Sequence, residues 1–198
     1  MRGMKGGGNM LFVIHGFLSN SNNTKANLIR KIFPEEHVVV PDLPPSSLLS
    51  WEKLNRMYID EIEKNQPQKT MVVGSSLGGF YAYCLSANYE IPCFLINPSM
   101  VPHITLLSRV WDTDGFSFAD ITKLGKLGQQ YFLEAPGRYV NVFVCNDDKT
   151  LSHDTITRSY FKYCSNLYVE FEHGGHRFNK LERLIPYLKS IYGSISSL

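Results

Sequence analysis

The chain has 198 residues, 43% of them hydrophobic and 19% charged, with a formal net charge of +2. Those values fit one globular domain with a proper core and exclude extended disorder. So small a charge argues for neither nucleic acid nor a membrane surface as partner, and no apolar run reaches transmembrane length. Cys84, Cys93, Cys145 and Cys164 are isolated, with no Cys-x-x-Cys pair. They read as small buried apolar residues of a reduced compartment, not as a disulfide frame or a zinc site. Met1 to Asn9 is Gly-rich with scattered charge, unlike a signal peptide, so the expected location is cytoplasmic.

Met10–Ile14 is a continuous apolar run of the kind expected for a strand covered on both faces. It ends in His15-Gly16-Phe17 and polar turn material. Asn23 or Thr24 is the expected cap of a helix that buries Leu28, Ile29, Ile32 and Phe33 and stops at Pro34. His37–Val40 is the second strand, followed by a Pro-rich turn around Asp42. Ser50 is the expected cap of a second helix with Trp51, Leu54, Tyr58 and Ile62 on one side, and Pro67 ends that segment. Thr70–Val73 is the third strand and runs straight into Gly74-Ser75-Ser76-Leu77-Gly78. Leu77, Phe80, Tyr81, Cys84 and Leu85 then recur at helical spacing.

Cys93–Ile96 is the fourth strand, closed by Asn97-Pro98. Val101–Pro136, rich in aromatics and interrupted by Gly115, Gly125 and Gly128, reads as short helices and loops lying over the sheet as a lid. Asn141–Cys145 is the fifth strand, with Asp147-Asp148 after it. Ser152 or Asp154 opens a helix using Ile156, Tyr160 and Tyr163. Leu167–Phe171 is the sixth strand and leads to Glu172-His173-Gly174-Gly175-His176. Pro186 starts the last helix near residue 184. Strands alternating with helices predict one three-layer α/β domain over residues 1–198, with a mainly parallel six-stranded sheet and 101–136 as a lid-like insertion.

In such a sheet ligands gather at the carboxyl ends of the strands. Gly-x-Ser-x-Gly between a strand and a helix is the pattern of a nucleophile elbow, which lifts Ser76 above the sheet. The third, fifth and sixth strands deliver a serine, an acid and a histidine in the order Ser…Asp…His, the order of α/β-hydrolases. A serine hydroxyl needs a base within hydrogen-bond reach, and the base needs a carboxylate to fix its tautomer. His176 is preferred to His173 because its loop is long enough to reach back to Ser76. Asp148 is preferred to Asp147 because its offset from the strand lets the loop turn toward the histidine. The backbone N–H groups of Leu77 and Phe17 are the expected oxyanion donors. His15 reads as a hydrogen bonder that orients its loop. The spacing of His15, His173 and His176 matches no strong zinc pattern, so neither a metal nor a cofactor is expected.

Leu11 to Phe17, Val73 to Ala82, Ile96-Asn97-Pro98-Ser99, Gly128-Gln129-Gln130-Tyr131, Asp148 with Leu151, and Gly174 to Phe178 resemble the small bacterial esterases of the YqiA/YcfP type. The resemblance spans about residues 10 to 190. It implies a compact α/β-hydrolase that cleaves small carboxylic esters or acyl thioesters, with Ser76, Asp148 and His176 as its triad. Asp147 departs from the pattern, in which Gly tends to precede the acid, and so does the Gly-rich start. An acyltransferase using the same three residues, or a non-catalytic binding module on this scaffold, are the alternative readings. A broken triad would mark the binding module, and all three residues are present.

Overall fold

The computed structural model describes residues 9–65, 69–134, 139–151 and 155–195. The Gly-rich start at 1–8, Pro67, Pro136, Ser152 and Asp154 lie outside them. Strands β1 (Met10–Ile14), β2 (Val38–Val39), β3 (Thr70–Ser76), β4 (Cys93–Pro98), β5 (Val140–Cys145) and β6 (Leu167–Phe171) form one sheet in the order β2-β1-β3-β4-β5-β6. Each neighbouring pair runs parallel. The chain first steps from β1 to the edge strand β2 and then returns to β3 on the other side of β1. Strand order therefore reverses between β1 and β3, where a crevice opens at the carboxyl ends.

Alternation along the strands sends side chains to two cores. Leu11, Val13, Met71, Val73, Phe94 and Phe143 meet α1 (Thr24–Ile32) and α7 (Ile185–Ile195). Phe12, Ile14, Val72, Leu95, Val142 and Val144 meet α2 (Ser47–Asn65), α3 (Leu77–Tyr89) and α6 (Thr155–Cys164). Helix α5 (Phe118–Glu134) packs on the outside of α2 and α3. That extra layer explains why α3 is buried all round from Leu77 to Ser86 and not on one face only.

Several local expectations are corrected. Helix α2 begins at Ser47, a turn before the expected cap, and Ser50 spends its hydroxyl on the carbonyl of Pro44. Residue 46 takes over at the helix start, where Ser46 Oγ faces the N–H of Leu49 at 3.4 Å. Segment 101–134 is less broken than expected, because α5 runs 17 residues through Gly125 and Gly128. In α6 the buried aromatic is Phe161, whereas Tyr163 is 83% exposed. Cys164 is exposed, unlike Cys84, Cys93 and Cys145. The second strand shrinks to Val38–Val39, since Glu35–His37 form a 3-10 turn. As expected, Asn23 caps α1, accepting from the N–H groups of Lys25 and Ala26.

Two constraints hold this arrangement. A side chain at Gly74 would stand 2.1 Å from the carbonyl oxygen of Gly78, and one at Gly78 would stand 2.3 Å from that of Ile14. Strand β3, helix α3 and strand β1 are thus in backbone contact, which only glycine permits. The second constraint is Asp120, 2% exposed, in the first turn of α5. Its Oδ1 accepts from the Ser46 hydroxyl and the Leu48 N–H, and its Oδ2 from the N–H and hydroxyl of Ser117. One carboxylate so joins the start of α2 to the start of α5.

Gly78→Ala should cost about 3 kcal/mol or more of unfolding free energy. Gly193→Ala, in α7 with open space around the new methyl, should gain roughly 0.5–1 kcal/mol. Urea denaturation of both variants checks the contrast. Burial alone would raise the Asp120 pKa, but hydrogen bonds from Ser117, Ser46 and Leu48 outweigh it and hold the carboxyl below its usual range. Its stabilisation is therefore complete above the ordinary carboxylate pKa and is lost as pH falls through the depressed one. Asp120→Ala should cost roughly 2–4 kcal/mol at neutral pH, and the loss should shrink as the solution is acidified.

Candidate active site

The third strand reaches its end at Ser76, whose backbone sits at φ 55°, ψ −125°, outside the regions an L-residue prefers. Helix α3 starts at the next residue. The strained turn is held on both sides. The N–H of Ser99, just past β4, donates to the Ser76 carbonyl at 3.0 Å. Gly16, after β1, lies so close that a Cβ on it would be 3.2 Å from that of Ser76.

Ser76, His176 and Asp148 are brought together. Ser76 Oγ lies 3.1 Å from His176 Nε2, and His176 Nδ1 lies 2.8 Å from Asp148 Oδ2. The carboxylate only accepts, so Nδ1 carries the proton and Nε2 is left to accept from the serine hydroxyl. Asp148 is aimed by its own loop. Its Oδ1 accepts from the N–H groups of Thr150 and Leu151 at 2.9 and 3.1 Å, which leaves Oδ2 for the imidazole. The Asp148 side chain is fully buried, while that of His176 is 26% exposed, as a group facing an incoming molecule must be.

The neighbouring acid serves the histidine loop from outside. Asp147 Oδ1 accepts from the Gly175 N–H at 2.8 Å and Oδ2 from the Gly174 N–H at 3.2 Å. Those bonds, the one from Gly175 first, hold its carboxyl below the usual range. His173 is exposed at the start of that loop. Gly174 is pressed on β5, where a Cβ would stand 2.6 Å from Cys145 Sγ. The loop then dives at Phe178, fully buried with its ring edge-on to Phe171 at 5.0 Å.

The first-strand loop, home of the other expected donor, is pinned to the loop after β2. His15 Nδ1–H donates to the Gly16 carbonyl at 2.9 Å, and its Nε2 accepts from the Leu43 N–H at 3.1 Å. Asp42, in the Pro-rich turn after β2, accepts from the Ser21 N–H and so links the same two loops. A turn closed by the Ser19 N–H on the Gly16 carbonyl, at 3.2 Å, forces Leu18 to φ 54° and carries Phe17 between them. The Phe17 ring meets Phe116 edge-on at 5.0 Å. Beside it lies a small hollow of about 220 Å³, open solvent included, lined among others by Phe17, Leu43, Leu77 and Tyr81.

Reasoning from sequence missed two contributors. The sequence marks Asn97 only as the close of the fourth strand and part of a family-like motif, and Asp147 only as the less favoured of two acids. The signal for Asn97 was a polar residue at the carboxyl end of an otherwise apolar buried strand. Among the described residues no three His, Cys, Asp or Glu side chains gather as metal ligands would, and no helix is long and apolar enough to cross a membrane.

Several solved structures share this architecture. Est1E from Butyrivibrio proteoclasticus matches with a TM-score of 0.73 and 14% identity, over 95% of this chain and 87% of that one. Alpha/beta hydrolase domain-containing protein 10 from mouse matches at 0.69 and 15%, over 96% and 90%. FphF, a fluorophosphonate-binding serine hydrolase of Staphylococcus aureus, matches at 0.69 and 12%, over 94% and 84%. At such identities the likeness establishes the α/β-hydrolase fold. Residues 10–193 match the uncharacterised protein family UPF0227, which takes in the YqiA/YcfP type that the motifs resemble, and the chain belongs to that family.

Proposed function

We propose that this protein is a serine hydrolase that cleaves small carboxylic esters or acyl thioesters through an acyl-enzyme. The observation that carries the reading is the hydrogen-bonded relay from Ser76 through His176 to Asp148, built on a strained residue at a helix N-terminus. In this reading Ser76 Oγ attacks the acyl carbon as its proton passes to His176 Nε2. Asp148 holds the proton on Nδ1 and stabilises the imidazolium. The oxyanion takes the N–H groups of Leu77 and Phe17 as its donors, Leu77 adding the positive end of α3. The tetrahedral species collapses when Nε2 returns its proton to the departing alkoxide or thiolate. Water, deprotonated by the same nitrogen, then attacks the acyl-serine and releases the acid.

Substrate size is set, in this reading, by the part of 101–136 that borders the site. Phe116, packed on Phe17, belongs to that part. Leu124, Leu127 and Tyr131 of α5 are buried in the core and take no share in it.

A fluorophosphonate probe should label wild-type protein, and Ser76→Ala should abolish both labelling and ester hydrolysis. Labelling that persists in Ser76→Ala would overturn the assignment. Asp148→Ala and His176→Ala should each slow hydrolysis by on the order of 10³-fold or more. Acyl esters and acyl-CoA thioesters graded by chain length give the substrate range. Acyl transfer to an added alcohol in place of free acid would show an acyltransferase.

A further inference from the structure

We propose that Asn97 is a positioning residue for the reaction at Ser76, and that with Asp147 it clamps the loop carrying His176. The proposal rests on the reading of Ser76 as nucleophile and His176 as its base. Asn97 stands at the carboxyl end of β4, a strand that supplies none of the three relay residues, yet its side chain is 0% exposed. Both N–H groups of its amide and the amide oxygen are engaged. Nδ2 donates to the carbonyls of Gly175 and His176 at 2.9 and 3.1 Å, and Oδ1 accepts from the Cys145 N–H at 2.7 Å. Two carbonyls face the NH₂ group and an N–H faces the oxygen, so the orientation has only one solution.

One side chain thereby joins the end of β5, three residues before Asp148, to the loop bearing His176. Two residues further on, Ser99 binds the Ser76 carbonyl. The end of β4 thus touches all three segments that carry the relay while supplying no reacting group. Its own backbone is bent for the purpose: Asn97 sits at φ 41°, a left-handed conformation that asparagine tolerates better than most residues.

Asp147 closes the clamp from the solvent side. It takes the Gly175 N–H while Asn97 takes the Gly175 carbonyl, so this residue, at φ 59°, is held at both of its backbone polar groups. A glycine there has the widest freedom of any residue, and His176 hangs on the next bond. The 3.1 Å reach of Nε2 to Ser76 is hence set by the two grips. Displacement of a reacting group by about 1 Å costs on the order of 10²-fold in rate.

Asn97→Ala should lower kcat by roughly 10- to 100-fold and leave KM within about threefold, because the binding surfaces are untouched. Asp147→Ala, at an exposed position, should slow fluorophosphonate labelling roughly three- to tenfold, and Asp147→Asn, which keeps one acceptor, should restore part of it. Labelling rates are to be normalised to the folded fraction from circular dichroism. The downfield proton resonance of His176 Nδ1–H in the bond to Asp148 is the second readout, and it should broaden or vanish in Asn97→Ala and Asp147→Ala. If Asn97→Ala does not fold, Asn97→Asp keeps the volume and the acceptor for Cys145 but gives up the NH₂ donors. Should that variant fail as well, Asp147→Ala decides. Folded variants that label at the wild-type rate with the resonance unchanged overturn the proposal. A wild-type protein that shows the resonance but neither labels nor hydrolyses any ester overturns the function proposed above and leaves the clamp standing.

Discussion

The backbone contact between β1, β3 and α3 is the constraint on which the rest depends. With Cβ positions at Gly74 and Gly78 only 2.1 and 2.3 Å from carbonyl oxygens, strand and helix leave no space for any side chain. The chain must therefore turn from β3 into α3 within one residue, and Ser76 takes the strained backbone that this turn requires. Strain of this kind costs on the order of 1–3 kcal/mol and persists only where surrounding packing over-determines it. Here the packing is α3, buried on every side between the sheet and the outer helices α2 and α5. The mostly apolar composition of that helix thus serves the site as well as the core.

A strained serine alone does nothing, and its partners come from loops that a parallel sheet delivers to the same rim. Such loops are the least constrained parts of a fold. In this protein each is tied down by polar bonds to the next. The β1 loop is fastened to the β2 loop through His15 and Asp42. The histidine loop is fastened to β4 and β5 through Asn97 and to the acid loop through Asp147. The same logic appears away from the rim, where Asp120 ties α2 to α5. The rim is therefore a set of mutually bonded loops and not six independent ones.

Much of the fold was legible because burial on both faces writes strands as unbroken apolar runs, as at Met10–Ile14 and Cys93–Ile96. The elbow was legible because its glycines answer to a steric demand that the five-residue pattern encodes. Ser76, Asp148 and His176 could be named because topology fixes which rim each strand end reaches. Where the expectations failed, tertiary packing overrode a local signal. Gly125 and Gly128 suggest helix breaks, yet they sit in α5 where Gly128 faces the Phe80 ring and Gly125 faces His103. Phe161, rather than Tyr163, is the buried aromatic of its helix, since α6 meets the sheet on that face. Asn97 could not be read as a clamp at all, because its partners lie 48 and 78 or 79 residues away and nothing local announces them.

The adjacent acids show how two like groups at one rim come to hold different partners. Asp147 and Asp148 are chemically identical neighbours, and beyond the family resemblance the sequence offered only their offset from β5 to choose between them. In the structure the choice follows from what each carboxylate has left to give. Both oxygens of Asp147 are engaged by backbone N–H groups of the histidine loop, so it fixes where that loop lies. Asp148 spends one oxygen on its own turn and keeps the other, buried and directed, for His176. Exchanging the two tasks would put the imidazole against the solvent-exposed acid, where water competes for the bond and the Coulomb attraction is screened. A buried carboxylate with one committed oxygen is the better orienter of a histidine, and an exposed one with both committed is the better fastener of a loop.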